Sequence, residues 1–383
     1  MRKLIYLLIF AITVSACSSG KKALEEGNYL EAIEKAVNRL SNDASNKKAK
    51  QVLSEGYPMA MDYYQEEIDQ TLSSNDRFKW GITLGVMERV NRVSNLIRKV
   101  PAARKIIPSP KTYTSELNDV RERAAEERYQ AGVASIERPG REDAKDAYFH
   151  FREADRLVTS YKDALEKMQV AKQRATINVV IEPIPVPSKR YELSAEFFYN
   201  QVIERMNQKF PHQSFVNFYT PEEAEHGKLK YPDMVVMLEF YDFFVGNLNH
   251  FEEEETLTRD ITKEVPVKVS SDSVRYETRT FRKQGKIRVI TDEVASGGLL
   301  NVKIEDFQAE KLLQEDRVPG EFVWRNQYGI FVGDEEVLTE HQVHILNNSA
   351  LPPPPPQDMF IEFTRPIYTR LTDRLIRFFK RYD

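Results

Sequence analysis

Ala175-Thr176-Ile177-Asn178-Val179-Val180-Ile181-Glu182-Pro183-Ile184-Pro185-Val186-Pro187 is where the chain changes texture. The run from Ile177 to Ile181 is dominated by β-branched residues, which suit a pleated, buried strand. Proline then returns at every second position, Pro183, Pro185 and Pro187. Such a stretch belongs at a sheet edge or in an extended linker, because proline gives the ladder no N–H. Before this point the pattern is helical, and after it strands and helices alternate. The sequence therefore predicts an α+β chain, with a helical front and a mixed rear that meet near Thr176.

Upstream, from Lys21 to about Ala175, proline is sparse and falls mostly at breaks. Ile82, Val86, Val90, Val93, Ile97 and Val100 are spaced by three and four, which puts them on one face of a helix over Gly81–Val100. Arg89, Arg92 and Arg98 fall largely off that stripe. Pro101 and then Ile107-Pro108-Ser109-Pro110 mark a break. Long charged helices are predicted over Tyr113–Ser135 and Arg141–Arg174, with Pro139-Gly140 as the turn between them. Gly27-Asn28-Tyr29-Leu30-Glu31-Ala32-Ile33-Glu34-Lys35-Ala36 resembles the turn and second helix of a tetratricopeptide repeat. Ala32 and Ala36 would stack one turn apart and let helices approach closely. Ala144 to Ala154, with Ala147 and Phe151, reads as a looser second copy, and an ordinary helical bundle is the alternative to a repeat array.

Downstream, Leu193–Phe210 reads as a helix with Phe197, Val202, Ile203, Met206 and Phe210 in its core. Ser214–Tyr219 reads as a short strand, and Pro221–Glu225 as a short helix opened by proline. Asp233–Phe244 holds Met234-Val235-Val236-Met237-Leu238, apolar on both faces as a central strand requires. Period-two texture follows at Tyr276–Phe281, Lys286–Ile290, Leu299–Phe307 and Leu312–Val318. Hairpin turns are predicted at Gln284-Gly285 and at Ser296-Gly297-Gly298. The result would be a mostly antiparallel sheet with helices on one face. Pro352 to Pro356 read as a polyproline II spacer. A C-terminal amphipathic helix is predicted from Pro366, with Ile367, Leu371, Leu375, Phe378 and Tyr382 docked on the sheet. Arg370, Arg374, Arg377, Lys380 and Arg381 would stand in water or on anionic lipid.

The start of the chain carries an address. Met1-Arg2-Lys3 precedes an apolar run from Leu4 to Val14 and the small residues Ser15-Ala16 before Cys17. A basic start, a short greasy core and small residues before a cut describe a secretory signal peptide. The run is too short for the roughly 20 apolar residues that span a bilayer. Val14-Ser15-Ala16-Cys17 resembles a bacterial lipoprotein box, which implies cleavage before Cys17 and lipidation of its thiol. Ser18 stands where Asp would signal inner-membrane retention in enterobacterial lipoproteins, so the resemblance implies the outer membrane. No acidic run follows Cys17 of the kind linked to surface export in Bacteroidota lipoproteins, which favours a periplasm-facing protein. The expected segments are a signal peptide at 1–16, a helical repeat-like domain at 17–175, a mixed domain at 176–350, and spacer plus helix at 351–383.

The rear half resembles the family of curli secretion-channel and penicillin-binding-protein-activator lipoproteins. The matching order is Leu193–Phe210, Ser214–Tyr219, Pro221–His226, Asp233-Met234-Val235-Val236, then Asn301–Phe307 through Lys311-Leu312-Leu313, and last Pro366–Arg381. Where that family has a glycine after the buried strand, this chain has Glu239 and Phe240. The whole chain is similar to Bacteroidota-type lipoproteins with helical repeats in front.

Chemistry-bearing motifs are scarce. Cys17 is the only cysteine, so a lipidated thiol leaves neither a disulfide nor a catalytic cysteine. The 6 histidines are scattered. His341 and His344 could share a helix face, and His250 beside Glu252, Glu253, Glu254 and Glu255 could attract a cation, but neither has a zinc-site spacing. Ser45 and Lys48 satisfy S-x-x-K, a pattern short enough to arise by chance. There is no phosphate loop, dinucleotide fingerprint or nucleophile elbow. A formal charge of −4 does not suggest a nucleic-acid binder. The sequence therefore predicts no enzyme, no cofactor, no metal, no catalytic residue, no nucleic acid and no small-molecule substrate. It predicts a lipid-anchored adaptor with envelope protein partners. A subunit or regulator of an oligomeric outer-membrane secretion pore is the alternative, and a carboxylate-dependent envelope hydrolase is a third reading without positive support.

Overall fold

The protein is described by a computed structural model that covers residues 20–383 apart from Pro187, Lys228, Lys230, Ser271 and Asp272. It is of the α+β class, helical first, then a mixed, mostly antiparallel sheet with a long C-terminal helix. The chain divides into two compact units between Ala175 and Thr176.

The front unit runs α1 (Lys21–Glu25), α2 (Tyr29–Asn42), α3 (Lys47–Ser73), α4 (Lys79–Lys99), α5 (Pro101–Arg104), α6 (Glu116–Ile136), α7 (Arg141–Leu157) and α8 (Ala164–Ala175). Gly27 sits in the left-handed region at φ 78° and turns α1 into α2, a conformation that favours glycine. Ala32 and Ala36 are fully buried with Ile33, Val37 and Leu40. On α4 the buried stripe is Val86, Val90, Val93 and Ile97, whereas Ile82 lies outside it and is exposed. The proline-marked break after α5 is fixed from α3 and α4. The Lys111 N–H donates to the Tyr57 hydroxyl (2.6 Å), the Ser94 hydroxyl donates to the Lys111 carbonyl (2.6 Å), and the Tyr113 N–H donates to Asn91 (2.8 Å).

The helix expected over Arg141–Arg174 is two helices, α7 and α8. Ser160 (φ 58°) and Lys162 (φ 46°) adopt left-handed conformations between them. The Asp155 carboxylate accepts the Ser160 N–H at 2.9 Å. The Tyr161 hydroxyl and the Lys162 ammonium both reach Glu126 on α6. The fold-back brings Ala147, Phe151 and Ala154 against Ala164 and Ala171 in one small core. Gly132 on α6 makes room for Phe151, because a Cβ there would lie 2.7 Å from the ring.

The rear unit runs β1 (Ile177–Ile181), α9 (Glu192–Lys209), β2 (Val216–Tyr219), α10 (Pro221–His226), β3 (Met234–Val245), β4 (Asn249–Ser270), β5 (Ser273–Asp306), β6 (Lys311–Gly333), α11 (Glu340–Asn347) and α12 (Pro356–Phe379). β1 pairs parallel with β2 and with β3, and the remaining pairings are antiparallel. Asp233 ties β1 to β3, since its carboxylate accepts the Asn178 N–H (2.7 Å) and its own N–H donates to the Asn178 carbonyl (2.9 Å). α9 and α12 cover one face of the sheet over Val236, Leu238, Leu300, Val302, Ile304 and Val318. On α9 the buried positions are Ala195, Phe198, Tyr199, Val202, Ile203 and Met206, spaced by three and four. Phe197, expected in the core, falls beside that stripe and is 50% exposed.

The expected turns at Gln284-Gly285 and Ser296-Gly297-Gly298 do not exist. β5 runs unbroken through both, 34 residues from Ser273 to Asp306, and takes in the three separate strands read at Tyr276, Lys286 and Leu299. These glycines serve close approach. A Cβ on Gly298 would lie 2.9 Å from both Phe243 and Phe363, and one on Gly320, its partner on β6, 2.3 Å from the Phe363 carbonyl. A Cβ on Gly285 would lie 2.3 Å from the Phe331 ring.

The C-terminal helix begins ten residues earlier than expected, at Pro356, and Pro366 lies inside it. An interior proline costs about 3 kcal/mol. Met359, Phe360 and Phe363 on the extra turns are buried, and each such side chain contributes about 1.5–3 kcal/mol. Burial outweighs the proline, so the helix continues through it. Ile367, Leu371, Leu375 and Phe378 complete the stripe, with Tyr382 half-buried beyond the helix end.

Candidate functional site

Cys17, the expected lipidation position, lies outside the described residues. The other candidates divide quickly. Ser45 and Lys48 belong to the entry of α3, where the Ser45 hydroxyl donates to Asp43 (2.7 Å) and Lys48 is exposed. His341 and His344 lie exposed on α11. Among the described residues no group of His, Cys, Asp and Glu is arranged to hold a metal ion.

His250 has a definite setting. It opens β4 directly opposite Asp292 on β5. Its Nδ1 lies 2.6 Å from the Asp292 carboxylate and its Nε2 lies 3.2 Å from Glu252. Asp292 is buried, whereas His250 is about half exposed. The hydrogen bond to Asp292, and then that to Glu252, holds the imidazole above its usual protonation range. Burial, and then the nearby Asp292 and Glu252 charges, pushes the Tyr328 hydroxyl up. The two ring nitrogens point to opposite sides, so the carboxylates do not converge on one point. Among the described residues no hydroxyl is hydrogen-bonded to either nitrogen. The His250–Asp292 contact clamps neighbouring strands. Sequence reading paired His250 with the adjacent glutamates and missed Asp292, because only the register of β4 on β5 brings that carboxylate in.

Further along β4 and β5, past the end of β6, the rear unit carries an exposed ribbon. β6 ends at Gly333, opposite Gly285. Beyond that rung β4 and β5 continue alone as a two-stranded ribbon, from Thr258↔Gln284 to Ser270↔Ser273. At 3.4 Å per residue it extends about 40 Å. Alternation gives it two unlike faces. One carries Arg259, Ile261, Lys263 and Val265 opposite Lys283, Phe281, Arg279 and Glu277. The other carries Thr258, Asp260, Thr262 and Pro266 opposite Gln284, Arg282, Thr280 and Tyr276. Cross-strand pairs stiffen it. Asp260 meets Arg282 at 3.1 Å, and the Thr262 and Thr280 hydroxyls meet at 3.2 Å. Near the root Lys283 pairs with Asp334 (2.9 Å), and about half-way along Lys263 pairs with Glu336. Further out, Val274 and Tyr276 are exposed.

No helix among the described residues is long and apolar enough to cross a membrane. A depression of about 570 Å³ lies along the edge strand β2 between Asn207, Pro211, His212, Asn217 and Glu223. No protein-family model matches the chain, and no curated protein matches it. Among solved structures, the chain is similar to a Helicobacter pylori structure described as a neuraminyllactose-binding hemagglutinin homolog. The identity is 10%, the TM-score 0.26, and the match covers 54% of this chain and 90% of that one. A likeness this distant says nothing about activity.

Proposed function

We propose that the protein is a lipid-anchored adaptor of the bacterial envelope, held to the outer membrane through Cys17 and facing the periplasm, and that it grips a protein partner with the β4–β5 ribbon. The ribbon is the observation that carries this reading. A two-stranded hairpin gains little stability of its own in water, and this one adds no layer to the core beneath it. Two open edges and mixed apolar and charged faces suit it to a protein surface. The buried small residues Ala32 and Ala36 on α2, in a tetratricopeptide-like setting, support a role in protein–protein contact. Cells grown on labelled palmitate test the anchor. Label should enter the wild type and not Cys17→Ala, and the mutant should leave the membrane fraction.

The pore reading draws on the same ribbon. Arg259, Lys263, Arg279 and Lys283 crowd one face and Asp260, Glu264, Lys268 and Arg282 the other. A lipid-facing Arg or Lys at mid-bilayer costs about 2–4 kcal/mol, so neither face suits hydrocarbon. A monomer by light scattering in mild detergent would remove the pore reading.

A further inference from the structure

Arg374 and Arg377 on the last turns of α12 and Arg381 just beyond its end line one cleft of about 450 Å³ with Gln314 and Asp316 of β6 and Phe378. Two of them are already oriented. Arg374 donates to the Arg317 carbonyl (3.3 Å) and pairs with Asp316 (3.0 Å), which fixes the helix to the edge strand. Arg381 donates through Nε to the Phe378 carbonyl (3.1 Å) and lies 4.3 Å from the centre of the Phe378 ring. Arg377 makes no ion pair among the described residues, nor does Arg381. Asp316 is the one carboxylate in the lining, and both its oxygens are engaged, one by Arg374 and one by the Gln314 amide. Three guanidiniums thus face one space with most of their N–H donors uncommitted.

Packing accounts for Arg374, and the Phe378 contacts hold only one edge of Arg381, so Arg377 and the rest of the Arg381 guanidinium stay open to a ligand. A helix C-terminus attracts cations through a partial charge of about −0.5, too little to neutralise the excess. Planar guanidiniums recognise phosphate oxygens through paired N–H groups, and several converging on one space favour a multiply charged tetrahedral anion over a lone carboxylate. The cleft is open to solvent and, at about 450 Å³, leaves room beside a phosphate for the group that carries it.

We propose that the cleft between β6 and the last turns of α12 binds a phosphate ester through Arg374, Arg377 and Arg381. A phospholipid headgroup and a soluble sugar phosphate share this chemistry. The site stands whether or not Cys17 is acylated, so it is tested on the full chain carrying Cys17→Ala. Binding is measured to phosphatidylcholine vesicles, to phosphatidylcholine vesicles containing phosphatidylglycerol, and to glucose 6-phosphate. Arg377→Gln/Arg381→Gln is compared with Arg104→Gln/Lys105→Gln, which removes two exposed charges from the front unit. Arg374 is kept because it holds the helix to β6.

Binding to the anionic vesicles that weakens about tenfold or more in the cleft variant alone assigns a lipid headgroup. The same selective loss with glucose 6-phosphate, and no vesicle binding, assigns a soluble ester. Equal loss in both double variants means diffuse charge attraction and overturns the site. Absence of binding to either ligand by the Cys17→Ala chain overturns it as well.

Discussion

The Phe363 ring of α12 lies where a Cβ on Gly298 of β5 would fall, at 2.9 Å. The helix reaches the sheet only because that position has no side chain. Gly298→Ala forces Phe363 and Phe243 aside together and should destabilise the rear unit by about 1–3 kcal/mol. Phe363→Ala, which empties a fully buried site, should cost about 3–5 kcal/mol. Urea denaturation followed by circular dichroism measures both. If Gly298→Ala were neutral, the glycine would not be filling a packing role.

Glu126 fixes the fold-back between α7 and α8. Hydrogen bonds from Lys162, then Tyr161 and Gln130, hold its carboxyl down at about 2. A depressed carboxyl stabilises the fold above its ordinary range near 4.5, and that contribution disappears as pH falls toward 2. Glu126→Gln should therefore cost about 1 kcal/mol at neutral pH and little near pH 2. Thermal unfolding of the two proteins across that range checks it.

His250 has the opposite sign. Its raised protonation midpoint means that its contribution is complete below the ordinary histidine value near 6.5 and is lost as pH climbs through the raised one. Histidine proton resonances should titrate above 6.5 in the wild type. In Asp292→Asn the midpoint should fall, since Asp292 is the first cause of the shift. An unchanged midpoint in that variant would remove the pairing.

The ribbon should be dispensable for folding. Residues 258–284 replaced by Asn-Gly form a two-residue hairpin turn at the Leu257↔Gly285 rung. The shortened protein should unfold cooperatively, with stability within about 1 kcal/mol of the parent. A loss of several kcal/mol would place the ribbon in the core instead.

Local signals carried much of this fold. The β-branched run at Ile177, the alanines at Ala32 and Ala36 and the stripe from Val86 to Ile97 state their environment within a few residues. What misled was punctuation. Gly285, Gly297 and Gly298 resemble turn residues, and Pro366 resembles a helix start, because a lone glycine or proline does not reveal whether its neighbour is solvent or a packed ring. Phe363 decides the matter, and it is distant in sequence. The same limit hid Asp292 from His250 and gathered Arg377 and Arg381 over β6 unseen. Phe197 and Phe198 show the finest case, adjacent residues of equal hydrophobicity that only the helix phase separates.

Partner binding by the ribbon, as proposed above, is open to a direct test. A photocrosslinking residue placed at Tyr276, read against the same residue at the exposed Leu193 on α9, measures this in living cells. A discrete adduct with an envelope protein is expected from position 276 and none from 193. No adduct at 276, or the same smear from both positions, would contradict it.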